Sequence, residues 1–157
     1  MSSAIRLVTA PVKILIAEDS PTQAQRLRHV LEQYGYEVRV AANGQLALSV
    51  AAQFRPALLI SDVVMPEMDG YELTRCVKAD PDLLDIPVIL VTAMSDPEDV
   101  IRGLACGADG FILKPYEERY LLGRVQHMLI NRECSQTQDA GPGVEIIFNG
   151  QRHYITA

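Results

Sequence analysis

No C-x-x-C pair occurs in these 157 residues. Cys76, Cys106 and Cys134 are odd in number and far apart, which argues against a zinc clamp or a dithiol redox centre and reads as reduced thiols. His29, His127 and His153 are equally scattered and lack ligand spacing, so they read as surface residues rather than metal or catalytic groups. No apolar run approaches the roughly 20 residues of a membrane span, and the N-terminus has no signal-peptide pattern, so the expected location is cytoplasmic. Positive charge is short as well. Lys and Arg number 14 against 20 Asp and Glu, a net charge of −6, which disfavours direct nucleic-acid binding because a duplex-binding surface needs a basic patch. There is no internal repeat and no low-complexity tract.

What the chain does have is apolar residues, 48% of the total, arranged as short buried-strand runs that alternate with amphipathic helical stretches. That alternation is the signature of βαβ units with right-handed crossovers, hence an α/β fold with a parallel sheet. The length suits one domain plus an appendage. Four of the apolar runs stop at polar residues. Ile14-Leu15-Ile16-Ala17 leads into Glu18-Asp19, Leu58-Leu59-Ile60-Ser61 into Asp62, Val88 to Val91 into Thr92, and Phe111-Ile112-Leu113 into Lys114. In an open parallel sheet, ligands bind beyond the carboxyl ends of the strands, so these side chains are expected to share one pocket.

The helices carry their own punctuation. Ser20-Pro21-Thr22-Gln23 reads as a cap, a first-turn proline and a glutamine completing a capping box. Behind it, Ala24, Leu27, Val30, Leu31 and Tyr34 form one helical stripe, and Gly35 ends it. Val38 and Val40 alternate with polar residues, as a half-exposed edge strand does. Asn43 is placed to cap the second helix. Met65-Pro66-Glu67-Met68-Asp69-Gly70 is expected to be a shaped loop over the pocket, since proline lacks a ladder donor and glycine permits positive φ. A third helix follows from Tyr71 to about Ala79. Ser95-Asp96-Pro97 repeats the cap-plus-proline signal, and Gly107 is the expected stop of the fourth helix. Five strands and five helices fit residues 11–131, after an N-terminal tail at 1–10. Residues 132–143 have linker composition and end in Gly141-Pro142-Gly143. In 144–157, two alternating segments flank Asn149-Gly150, a strong hairpin signal.

The pocket chemistry follows from its groups. A hard divalent cation such as Mg²⁺ binds through one or two carboxylates plus water and phosphate, and Asp19 and Asp62 are the direct donors expected here, with Glu18 holding a coordinated water. Three clustered carboxylates repel one another and raise at least one pKa, which the metal relieves. Asp62 can also serve as a nucleophile toward phosphorus, because the cation and the Lys114 ammonium neutralise the charge building on the transferred group while Thr92 hydrogen-bonds one of its oxygens. Ala93 leaves room for that group to enter.

Taken in order, Ile14 to Asp19, Asp62 to Gly70, Val91-Thr92-Ala93 and Gly107 to Pro115 resemble the response regulator receiver domain of two-component signalling, over residues 12–131. The resemblance implies a flavodoxin-like, doubly wound (βα)5 fold with strand order 2-1-3-4-5 and a C-terminal hairpin segment appended. It implies that Asp62 takes phosphate from the phosphohistidine of a histidine kinase or phosphotransfer domain, and that Glu18, Asp19, Asp62 and the Val64 backbone carbonyl bind Mg²⁺ or Mn²⁺. Catalysis would extend only to the domain's own phosphoryl uptake and loss. A cis peptide before Pro115 is implied as well.

The same resemblance makes Thr92 and Phe111 the switch pair. Phenylalanine has no hydroxyl, so packing must separate the two states. A hydrogen bond from Thr92 to a charged group contributes roughly 1.5–3 kcal/mol, whereas moving a population from 1:99 to 99:1 takes about 5.5 kcal/mol, so the Lys114 pair must contribute. Val64 and Met94 stand where the family tunes phosphate lifetime, and neither can orient an attacking water, which predicts slow self-dephosphorylation. The face of the fourth helix, fifth strand and fifth helix, with Arg102, Asp109, Glu117, Glu118, Arg119 and Arg124, is the expected docking site for a downstream protein or for a homodimer. Segment 143–157 resembles the connector that follows the receiver in some hybrid sensor histidine kinases, which makes an excised receiver of such a kinase the alternative to a stand-alone regulator. Two other classes stay open. In a metal-dependent phosphatase with an aspartyl nucleophile, the place of Val64 would be a second aspartate; a phosphorylation-independent interaction module would not need the pocket.

Overall fold

The computed structural model describes residues 11–93, 97–137, 143–148 and 151–156. Five strands and five helices alternate as β1 (Lys13–Ala17), α1 (Pro21–Gln33), β2 (Glu37–Ala41), α2 (Gly44–Phe54), β3 (Leu58–Asp62), α3 (Gly70–Ala79), β4 (Val88–Thr92), α4 (Pro97–Cys106), β5 (Gly110–Leu113) and α5 (Glu118–Thr137). The strands form one parallel sheet in the order β2-β1-β3-β4-β5. This is the flavodoxin-like arrangement, and its strand order reverses between β1 and β3, where such folds bind ligands.

Alternation along each strand divides the core between the two faces of the sheet. Ile14, Ile16, Leu58, Ile60, Ile89, Val91 and Ile112 meet Leu27, Val30 and Leu31 of α1 and Leu121, Leu122 and Val125 of α5. Leu15, Leu59, Val88, Leu90 and Phe111 face the other way, onto Ala47, Ala51 and Phe54 of α2, Leu73 and Val77 of α3 and Cys106 of α4. A strand buried on both faces reads as a continuous apolar run, which is why β1, β3 and β4 are almost uninterrupted hydrophobics. The edge strand β2 keeps Glu37 and Arg39 exposed.

Local signals place most boundaries. Asn43 Oδ1 accepts the Leu46 N–H at 2.9 Å, and Gly35 and Gly107 take φ of 90° and 97° after α1 and α4. Three expectations are corrected. At the start of α1, Ser20 Oγ accepts from Gln23 N at 3.4 Å, but the Ser20 N–H donates to Glu18 Oε2 at 3.1 Å, so Gln23 does not close a capping box. In the loop after β3 the positive φ belongs to Glu67, at 68°. Gly70 is required for a different reason: a Cβ there would overlap the backbone carbonyl of Asp62. Finally, α5 runs through 132–137 to Thr137, where a linker was expected. Arg132, Glu133 and Gln136 are good helix formers, and polarity without glycine or proline does not end a helix.

Beyond α5, β6 (Gly143–Phe148) and β7 (Gln151–Thr156) pair antiparallel with Phe148 opposite Gln151. The Asn149-Gly150 turn, the Ser95 cap and Met94 lie outside the described residues.

Candidate functional site

The carboxyl ends of β1 and β3 bring three acids together. Glu18 and Asp19 follow β1, and the Glu18 N–H prolongs the ladder to Ala41 O at 3.0 Å, which turns the Glu18 side chain inward. Asp62 is the last residue of β3, and its Oδ1 accepts the Val63 N–H at 2.8 Å. One ligand oxygen from each of Glu18, Asp19 and Asp62 lies within 4.8 Å of the others. Glu18 is buried and Asp19 is exposed, so the cluster opens to solvent on one side. Lys114 closes another side. Its backbone N–H donates to Thr92 O at 2.8 Å, the Lys114-Pro115 peptide is cis, and its Nζ stands 3.3 Å from Asp62 Oδ2 and 3.7 Å from Glu18 Oε1.

Burial pushes the Glu18 carboxyl up to about 7, and the negative charge of Asp62 adds to the rise. The Ser20 N–H and the Lys114 ammonium pull the other way without cancelling it. Three oxygen donors crowded in this way match what a hard divalent cation takes, and a cation among them would remove the repulsion. The donor set therefore fits a metal of the Mg²⁺ type.

Thr92 ends β4, is 4% exposed, and pairs in register with Leu113. Ala93 beside it is exposed. Phe111 lies two residues before that pair, on the opposite face from the acids' helix α1, with its ring buried against Gly103 of α4. Val64, two residues after Asp62, is 62% exposed. A cleft of about 580 Å³ runs alongside, lined among others by Gln23, Arg26, Ala93, Lys114, Pro115 and Tyr116. Burial raises the Tyr116 phenol, and the nearby Glu18 carboxylate adds to it.

Two features were missed by sequence reasoning. Gln23, read only as a capping residue, has its Oε1 2.9 Å from Lys114 Nζ. No local pattern announces a bond between residues so far apart in the chain. The charges assigned to the face of α4, β5 and α5 are also not all surface charges. Arg124 is 3% exposed, and Asp109 is engaged by Lys78 at 2.9 Å. Arg102 stacks over the Tyr71 ring, 4.8 Å from its centroid.

Comparison with known proteins agrees with this fold. A family model described as the response regulator receiver domain matches residues 14–126. The signal receiver domain of a signal transduction histidine kinase from Syntrophus aciditrophicus is similar with a TM-score of 0.73 and 52% identity, covering 76% of this chain and 91% of that one. Protein PilH of Pseudomonas aeruginosa is 36% identical over 117 residues, 74% of this chain and 97% of its own length. The DNA-binding response regulator MtrA of Mycolicibacterium smegmatis is 34% identical over 121 residues, 77% of this chain but 52% of its own. The chain thus spans about half the length of that longer relative.

Proposed function

This chain belongs to the response regulator receiver domain family of two-component signalling, and from that premise we propose that Asp62 is the residue that receives the phosphoryl group. The observation that carries the reading is the meeting of Glu18, Asp19 and Asp62 within 4.8 Å beside a lysine 3.3 Å from Asp62. A carboxylate oxygen of Asp62 attacks phosphorus while the N–P bond of a partner's phosphohistidine breaks and its electron pair returns to the imidazole. With Oδ1 engaged by the Val63 amide, Oδ2 is the oxygen turned to the lysine. Lys114 then offers its ammonium to the charge accumulating on the phosphoryl oxygens, and Thr92 its hydroxyl to one of them. Glu18, Asp19, Asp62 and the Val64 backbone carbonyl are the groups that would hold Mg²⁺ or Mn²⁺, which supplies further charge neutralisation in the transfer. Phosphoryl uptake would bias the Thr92 and Phe111 pair and with it the face of α4, β5 and α5, where Ile101 is 63% exposed and available to a downstream protein or a second copy.

The test is incubation with Mg²⁺ and a small acyl phosphate, followed by intact mass and mapping of the modified residue. The expected result is a gain of about 80 Da, one phosphoryl group, at Asp62 and its loss in Asp62→Asn. A gain elsewhere, or none, would overturn the assignment.

The 52% identity to a receiver from a histidine kinase favours a second reading of the context, in which this domain works inside a hybrid kinase. Phosphorylation of Asp62 in the longer reading frame, at a rate independent of protein concentration, would support it. Transfer only from a separate protein would favour the stand-alone regulator.

A further inference from the structure

Lys114 Nζ lies nearer to a neutral amide oxygen than to either of two carboxylates: 2.9 Å from Gln23 Oε1, against 3.3 Å from Asp62 Oδ2 and 3.7 Å from Glu18 Oε1. Charge-assisted hydrogen bonds to ionised acceptors are the shorter and stronger ones, so this order runs opposite to what the acceptors alone would set. The α1 cap explains how the amide comes to be there. Gln23 occupies the helix position whose side chain usually reaches back to the cap N–H, yet Glu18 Oε2 already takes that N–H from Ser20 at 3.1 Å. The Gln23 carboxamide is released from capping and turns to Lys114. Gln23 also lines both the outer cleft and the small cavity beneath the site that Glu18, Asp62 and Lys114 share.

We propose that Gln23 is a positioning residue for phosphoryl transfer, a neutral tether that keeps the Lys114 ammonium from closing onto Asp62 and Glu18 and so keeps those carboxylates open to a divalent cation and to phosphorus. This rests on the reading of Asp62 as acceptor. Neutrality is the essential property. An apolar side chain at 23 lets the ammonium settle on the acids and compete with the cation for them, whereas a carboxylate at 23 draws the ammonium outward and adds a fourth negative charge to the pocket.

The two substitutions therefore move cation affinity in opposite directions, which a merely structural role at the helix start would not do. Gln23 is exposed, so Gln23→Met and Gln23→Glu are expected to fold, and Gln23→Ala repeats the loss of the acceptor without the methionine's bulk. Mg²⁺ affinity is read by titration calorimetry without any phosphodonor, and the rate of phosphoryl uptake from acetyl phosphate at saturating Mg²⁺ by intact mass. Gln23→Met and Gln23→Ala are expected to bind Mg²⁺ about two to five times more weakly and Gln23→Glu more tightly than the unaltered protein. Gln23→Met and Gln23→Ala are expected to take up phosphate more slowly, by about fivefold, the net worth of the lost hydrogen bond. Gln23→Glu is expected to be slower as well, because its carboxylate holds the ammonium away from the phosphoryl oxygens. Mg²⁺ affinities that shift in the same direction, or do not shift, overturn the tether. If the unaltered protein gains no phosphoryl group at Asp62, the acceptor reading fails instead, and the Mg²⁺ titration still decides the tether on its own.

Discussion

The ring of Phe111 occupies the space that a side chain on Gly103 would need: a Cβ built on this α4 glycine overlaps the Phe111 Cζ. Strand β5 and helix α4 can approach only because one of the two residues has no side chain, and the aromatic member of the expected switch pair is thereby seated in the core at 4% exposure.

Gly103→Ala tests that contact. Alanine recovers about 1 kcal/mol of helix propensity, but overpacking a core typically costs 1–3 kcal/mol, and a buried ring on a strand cannot swing aside as a flexible chain end would. A net loss of about 1–2 kcal/mol is expected as a lower urea midpoint. Adding Phe111→Val should recover part of it, so the double variant loses less than the sum of the two singles.

Lys78 makes a clamp at the other end of the sheet. Its Nζ donates to Ile86 O at 2.9 Å, Leu84 O at 3.3 Å and Asp109 Oδ2 at 2.9 Å, and the same Asp109 oxygen accepts the Val88 N–H at 2.8 Å. Lys78→Met strands a half-buried carboxylate. With the side chains 23% and 33% exposed, solvent screens part of the effect, and a loss of about 1–2 kcal/mol in denaturant unfolding is expected.

The apo protein should lose stability as pH rises through the acid range. The folded state lifts Glu18 from 4.5 to about 7, chiefly by burial, so between those values it holds its proton while the unfolded chain has released one. Stability then falls with rising pH across that window and levels off above it. Melting scans at pH near 5 and near 8 should show the fall. Mg²⁺ should reverse it at the higher pH, and Glu18→Gln should flatten it. A melting temperature that rises between the two pH values would contradict this account.

Val64 bears on how long a phosphoryl group would last. The residue is 62% exposed, and its apolar side chain offers nothing to orient an attacking water. Val64→Asn supplies an amide at that place, and the aspartyl phosphate is expected to decay faster, by about fivefold for one added hydrogen bond to the water. Equal decay in the two proteins, followed by mass after removal of the donor, would remove the role.

The fold and the meeting of Glu18, Asp19, Asp62 and Lys114 were legible in the sequence because both are written locally. A doubly buried strand shows as an apolar run, and a parallel sheet delivers the residue after each run to the same edge, so no side-chain geometry is needed to bring the four together. Cap residues and glycines with positive φ are local too, and Asn43, Gly35 and Gly107 followed. Where two local partners competed, the pattern misled. Glu18 and Gln23 both lie within reach of the Ser20 N–H, and only the inward turn of Glu18 settles which takes it. The 132–137 segment is a second case, since its polar composition suits either a linker or the last turns of a helix.

By itself, then, the order of residues determined the alternation of strands with helices and the edge at which the polar groups gather, since periodicity and residue type act over a few neighbours. The strand order was legible only through the family resemblance of the motifs. Tertiary packing alone decided that Gln23 tethers Lys114 across 91 positions, that Arg124 is buried, and that Phe111 needs a glycine in front of it. These depend on which side chains meet once the helices settle on the sheet, and contacts between distant segments leave no period in the chain to read.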